Sequence, residues 1–318
     1  MERTRWDSEG GFSSTQSTTH PAMSSSTPFE PMPATAAATI AKYHISSPDY
    51  PGHLDMEIGQ AEHRIKFVNF WQLAPGSRVL EIGCGQGTTT AVLAEAVGAS
   101  GHVDAVDPGP PEYGSPWTLA QAQEHLSGGP LGDRISWHFA DPIDLLATNA
   151  DKTWDYVVFA HCIWYFDSPA TLTRMLGALK GRAETLLVAE YALKATELKA
   201  LPHVLASVAR ATLEAHNKAS AANIRCLSSP GAITEAASEN GWALDDETNV
   251  VPGEGLMDGH WETGSVASAH FLKEIEENVE DPKVKALLRS ARDGVLGALE
   301  TVGVKKSWTM DVWVAKFH

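Results

Sequence analysis

The stretch Val79-Leu80-Glu81-Ile82-Gly83-Cys84-Gly85-Gln86-Gly87-Thr88 decides the fold: an apolar strand breaks into three alternating glycines and then opens a helical segment. Glycines without a Cβ permit a tight turn there and let backbone approach a ligand at the helix N-terminus. A dinucleotide fingerprint, G-x-G-x-x-G, would require its third glycine where Thr88 stands. Pyrophosphate binding is therefore disfavoured, and with it a nicotinamide oxidoreductase.

Outward from this corner, short apolar runs alternate with helical segments, the pattern of βαβ units and a parallel sheet. Strands are expected at 78–82, 102–107, 134–139, 154–160, 184–190, 242–250 and 308–316. Helices are expected at 87–97, 117–126, 169–180 and 230–240. On the amino side, helices are predicted from Ala34 to Tyr43 and from about Met56 to Trp71, the second with Ile58, Ala61, Ile65, Val68 and Trp71 close to one face. Pro48, Pro51 and Gly52 separate the two. A helix over 196–219 carries Leu198, Leu201, Leu205, Val208 and Leu213 at helical spacing. An insertion at 253–306 holds helices near 266–279 and 282–299, the latter opened by Asp281 and Pro282. Residues 1–33 are rich in Ser, Thr and Pro and are expected to be a disordered tail.

Composition narrows the function. With 43% hydrophobic residues and ten Trp the 318-residue chain can bury a sizeable core as one elaborated domain. A formal net charge of −16 without a Lys/Arg run opposes nucleic-acid binding. Cys84, Cys162 and Cys226 lie far apart, with no C-x-x-C pair, and read as reduced cytosolic thiols. No segment suits export or a membrane span, so a cytoplasmic protein is expected.

The run Leu73-Ala74-Pro75-Gly76-Ser77-Arg78-Val79-Leu80-Glu81-Ile82-Gly83-Cys84-Gly85 resembles motif I of the class I S-adenosylmethionine-dependent methyltransferases, in their small-molecule branch. The resemblance has specific motifs over roughly 75–190. It implies an α/β Rossmann-like fold with a seven-stranded, mostly parallel sheet, helices on both faces, a reversed last strand and an α-helical cap. The methyltransferase domain would span 34–318: an N-terminal cap at 34–74, a cofactor-binding core at 75–195, and cap insertions at 196–229 and 253–306. The Ser/Thr-rich tail followed by this cap resembles fungal secondary-metabolism methyltransferases.

Site residues follow the same resemblance. S-adenosylmethionine would lie against Gly83, Cys84, Gly85 and Gly87. Asp107, twenty residues past Gly87 and ending the second strand, would accept from the ribose hydroxyls, as an acceptor-only carboxylate suits. Asp141 matches the adenine-contacting acid, and Glu81 orients the methionine amino group through water or a backbone group. Ala160 and His161, in Phe159-Ala160-His161-Cys162-Ile163-Trp164-Tyr165-Phe166, would line the sulfonium. His161 is the candidate base for a protic acceptor, a role worth about 10²–10⁴ in rate; the competing reading is a packing residue at a strand end. Tyr43, Trp164, Tyr165, Tyr191, His203, His260 and Trp261 are candidate pocket residues, against the reading of helices packed onto the sheet.

The N/D-P-P-Y/F motif of amide and nucleobase amino methyltransferases is absent after the fourth strand, and the lysine and paired acids of a metal-dependent catechol enzyme are missing, so no metal is expected. The partner is a small-molecule acceptor. The alternative reading is a protein of this fold that keeps the cofactor without methylating, as a cyclase or regulatory partner.

Overall fold

A computed structural model describes residues 29–47, 49–50, 52–217 and 222–318 of the chain. Most of the expected tail, along with Pro48 and Pro51, lies outside the described residues.

The sheet has seven strands: β1 (Arg78–Ile82), β2 (His102–Asp107), β3 (Ile135–Phe139), β4 (Trp154–Ala160), β5 (Ala183–Tyr191), β6 (Leu244–Val250) and β7 (Val312–Phe317). Their spatial order is β3-β2-β1-β4-β5-β7-β6. β1 pairs in parallel with β2 on one side and β4 on the other, while β7 runs antiparallel to both β5 and β6. Strand order reverses between β1 and β4, so their carboxyl ends flank the crevice where open α/β sheets bind ligands.

The helices are α1 (Ala37–Ile40), α2 (His53–Trp71), α3 (Thr88–Val97), α4 (Leu119–Ser127), α5 (Pro142–Thr148), α6 (Pro169–Leu179), α7 (Leu201–Glu214), α8 (Pro230–Glu239), α9 (Asp258–Ala267), α10 (Ala269–Asn278) and α11 (Pro282–Val302). Alternate residues of the central strands point to opposite faces. Val79, Val103, Val158 and Leu187 join one core with Ile65, Val68 and Trp71 of α2 and Val92 and Leu93 of α3. Leu80, Val106, Val157 and Leu186 join the other with Leu172, Leu176 of α6 and Ile233 of α8. A third cluster, built from α7, α9, α10 and α11, forms a separate helical layer. Among the described residues no helix is long and apolar enough to cross a membrane.

The expected strands and their order of appearance recur, with β7 beginning at Val312 rather than 308. Two helical expectations are corrected, and one further helix appears. The helix expected over 196–219 is a 3-10 turn at Leu198–Ala200 followed by α7, which starts at the proline-favoured first turn of Pro202. Of its apolar spacing only Leu213 is buried; Leu198 is 70% exposed, and Leu201, Leu205 and Val208 are exposed too. The face turned to its neighbours carries Ala206 and Ala209 instead, small residues that admit close helix packing. The 253–306 insertion contains three helices rather than two, because Ser268 ends α9 and its hydroxyl caps the Phe271 N–H of α10. Asp141-Pro142 opens the unexpected α5, with Pro142 in its first turn.

Candidate active site

The corner after β1 is left-handed at each glycine, with φ of +71° at Gly83, +54° at Gly85 and +92° at Gly87. Two of the three serve packing. A Cβ on Gly83 would stand 2.6 Å from the Cys162 Cβ, and one on Gly87 would stand 2.6 Å from the Trp137 ring. A Cβ on Gly85 would meet nothing within 4 Å, so this backbone faces open space. Asp107 braces the same corner: its Oδ2 accepts the Gly85 N–H at 2.8 Å and its Oδ1 accepts the Gly109 N–H at 2.7 Å. Gln123 donates to the Gly85 carbonyl at 2.8 Å. The corner is thus rigid, open on one face, and bordered by a partly exposed carboxylate, which fits a neutral sugar with hydroxyl donors.

Glu81 lies beneath it, almost fully buried, with Oε2 accepting from the Thr90 hydroxyl at 2.6 Å. Burial pushes its carboxyl up to about 8, against the opposing pull of the Thr90 bond and the Arg64 charge. Cys84 is buried, and burial together with the Glu81 and Asp107 charges pushes its thiol well up. It is therefore a packing thiol rather than a nucleophile. Asp141 is exposed at the carboxyl end of β3, where its Oδ1 caps α5 through the Ile143 N–H at 2.7 Å.

A second cluster sits where β4 and β5 end. Ala160 is buried. His161 follows with φ +53°, a conformation few L-residues adopt, and its N–H binds the Ala189 carbonyl at 2.8 Å. Its Nε2 stands 3.0 Å from Nε2 of His63 on α2, and its Nδ1 stands 3.8 Å from Oε1 of Glu190. The ring packs on Tyr191 with centroids 4.7 Å apart. Tyr191 in turn contacts the Trp164 and His203 rings, each with centroids 5.2 Å away, and its hydroxyl donates to Asp258 Oδ1 at 2.8 Å. Burial and the neighbouring Asp258 carboxylate hold the Tyr191 phenol well above its ordinary range. Arg64 joins the two clusters, donating to Thr89 Oγ1 at 2.9 Å and to the side chain of Gln60, which itself lies 3.4 Å from Asp258 Oδ2.

The structure thus brings together His161, Tyr191, His203 and Trp164, although Trp164 is buried and spends its indole N–H on the Ser228 carbonyl at 2.8 Å. Tyr165 is 42% exposed and Trp261 47% exposed. Tyr43 packs onto the α2 side of the core, and the partly buried His260 lies within reach of the Lys306 charge. Five residues escaped sequence reasoning: Gln60, His63, Arg64, Glu190 and Asp258. One signal was available for three of them. Glu57, Gln60, His63 and Arg64 form a polar stripe at helical spacing on a helix whose other stripe is core. Among the described residues no group of three or more His, Cys, Asp and Glu side chains is arranged to hold a metal ion.

The chain matches a methyltransferase domain family over residues 79–182. It is 30% identical to methyltransferase phomM' of Diaporthe leptostromiformis over 285 residues, covering 76% of this chain and 73% of that protein. Methyltransferase phomM of the same fungus is 29% identical over the same coverage. Among solved structures, a cyclopropane-fatty-acyl-phospholipid synthase-like protein from Lactobacillus casei ATCC 334 superposes with a TM-score of 0.79 at 30% identity, covering 89% of this chain and 98% of that one.

Proposed function

Because this chain belongs to the class I S-adenosylmethionine-dependent methyltransferases, we propose that it holds S-adenosylmethionine at the β1 corner and transfers the methyl group to a protic small molecule beside His161. The observation that carries this reading is the Asp107–Gly85 brace: a carboxylate fixed by two backbone N–H groups beside a glycine with no neighbour on its open face.

In this reading Asp107 accepts from the ribose hydroxyls, Gly85 keeps the backbone clear at the open face of a corner whose shape Gly83 and Gly87 hold, and Asp141 borders the adenine. Glu81 faces the methionine end from below. S-adenosylmethionine, when bound, supplies a methyl group already attached to a sulfonium leaving group. The protein's own share is then positioning, for which about 7–11 kcal/mol is the general ceiling. His161 takes the proton that the acceptor atom sheds. Tyr191 and Trp164 present rings suited to a sulfonium and a flat acceptor, with Tyr165 and His203 at the margin. The cap, formed by 34–74, 196–229 and 253–306 over the core at 75–195, excludes water; Tyr43, His260 and Trp261 belong to it. A secondary-metabolite acceptor rests on the resemblance to fungal enzymes, and a net charge of −16 speaks against a nucleic acid. Unpaired thiols at Cys84, Cys162 and Cys226 support a cytosolic location.

Calorimetry with S-adenosylhomocysteine tests the site. The native chain should give saturable binding, and Asp107→Ala should weaken it by about tenfold or more, the scale of a hydrogen bond to a charged group. Saturable binding unaffected by Asp107→Ala would remove the assignment.

A further inference from the structure

Neither ring nitrogen of His161 faces open space. Nε2 is 3.0 Å from the His63 Nε2, and Nδ1, buried without a hydrogen-bond partner, lies 3.8 Å from Glu190 Oε1, an ion-pair rather than a hydrogen-bond distance. Glu190 is itself fixed: Oε2 accepts the Ile163 N–H and Oε1 the Tyr191 N–H, each at 3.0 Å. His63 is 1% exposed, edge-on to Phe67, and its Nδ1 is buried without a hydrogen-bond partner.

We propose that His63 and His161 form one proton-holding unit, in which the nearby Glu190 charge draws the proton to the Nδ1 side of His161 and the hydrogen bond to His63 fixes the Nε2 side. His63 is then a positioning residue for the base. The use of this unit in catalysis rests on the reading of His161 given above, while its proton arrangement does not.

Only one hydrogen fits between the two facing Nε2 atoms, since two would set N–H against N–H. The Glu190 carboxylate favours a hydrogen on His161 Nδ1, which leaves the His161 Nε2 as a lone pair in the neutral ring. His63 therefore donates from Nε2 and keeps its lone pair at the partnerless Nδ1. Burial, the His161 ring and the charges of Arg64 and Lys66 hold His63 well below the ordinary histidine range, so it enters this arrangement neutral. The other groups facing the unit are Asp258, through Tyr191, and His203 behind it.

During transfer the acceptor atom forms its bond to the methyl carbon while the electron pair of the breaking carbon–sulfur bond stays with sulfur. The acceptor's proton passes to the unit, and the electron pair it leaves remains on the acceptor. A proton arriving at His161 Nε2 obliges the His63 Nε2–H to leave that face by rotation of the His63 ring. The unit therefore gains one positive charge, beside Glu190, where two separate imidazoles would accept two.

Long-range proton–nitrogen spectra of the full chain with labelled histidine, without ligand, test this as the pH is lowered from about 8 to about 5. The native protein should show His161 as the Nδ1–H tautomer and His63 as the Nε2–H tautomer, with a single proton taken up by the pair. His63→Phe keeps a ring and removes the donor, so His161 should lose its single-tautomer signal; His63→Gln supplies an amide N–H and should restore it. Two independent titrations, the reverse tautomers, or a His161 signal unchanged in His63→Phe would overturn the proposal. Should His63→Phe not fold, the native tautomers and proton count decide alone. Intact tautomers in a protein that binds no S-adenosylhomocysteine would instead sink the functional reading and leave the unit standing.

Discussion

His203 on α7 accepts the Met310 N–H at its Nδ1, 3.1 Å away, which fixes the remaining ring hydrogen on Nε2. That Nε2 is buried without a hydrogen-bond partner, and the ring meets Tyr191 edge-on. A single backbone contact thereby commits a fully buried histidine to its neutral form.

Burial, outweighing the pull of Asp258, lowers His203 from 6.5 to about 4, and burial does the same to His44. Unfolded rings bind protons below 6.5 while these two do not, so stability should fall as the pH drops from 6.5 toward 4, by about 1.4 kcal/mol per pH unit per ring at most. His203→Asn retains an acceptor and cannot charge. Denaturant titrations at several pH values should show a shallower acid slope for this variant than for the native chain.

Glu81 behaves in the opposite sense. Its folded value of about 8 lies above its ordinary 4.5, so its contribution is complete below 4.5 and is lost as the pH rises through 8. At neutral pH the carboxyl is mostly protonated. An arriving ammonium group favours the carboxylate, and binding of S-adenosylhomocysteine near pH 7 should release up to one proton. The calorimetric heat should accordingly vary with the ionisation heat of the buffer, and Glu81→Gln should remove most of that variation.

Gly83 and Gly85 separate fold from site. Gly83→Ala drives a Cβ into Cys162 at 2.6 Å and should destabilise the protein strongly, seen as a lowered midpoint in thermal melts. Gly85→Ala meets only open space at φ +54°, so its stability cost should stay near the ~1–2 kcal/mol of a left-handed L-residue. Its effect should fall on S-adenosylhomocysteine affinity, because the added methyl occupies the open face.

Asp104 is the control. Burial pushes its carboxyl up, and hydrogen bonds from His138 at 3.1 Å, Lys152 at 2.8 Å and Trp154 at 2.8 Å outweigh that, holding it below the aspartate range. Its contribution is present above 3.8 and lost as the pH falls below that. Asp104→Ala strands the buried indole N–H of Trp154 and releases the partly exposed Lys152 to water, and should cost about 1–3 kcal/mol in unfolding experiments. Ligand affinity of the folded variant should be unchanged, since Asp104 lies within β2, three residues short of Asp107.

Much of the sheet was legible because several strands are short apolar runs, some closed by glycine or by aspartate and proline, as at Ile82-Gly83 and Asp107-Pro108. Asp107 and Gly85 were each legible as site residues by type and position, but the hydrogen bond between them was not. What escaped was set by tertiary packing. The spacing of Leu198, Leu201, Leu205 and Val208 describes a helix correctly but not which face it buries, since Ala206 and Ala209 made the closer contact. The polar stripe on α2 marks out His63 but not its partner, Glu190 looks like an ordinary strand residue, and only the fold brings the two onto His161. His260 and Trp261 lie on α9, a helix whose position no spacing could fix.

Incubating the purified chain with methyl-labelled S-adenosylmethionine and a small-molecule extract decides whether it methylates a small molecule. Label should appear in a discrete low-mass product, dependent on the native chain and sharply reduced with Asp107→Ala. Cofactor that binds saturably while no small molecule in the extract ever gains label would contradict the proposed methyl transfer.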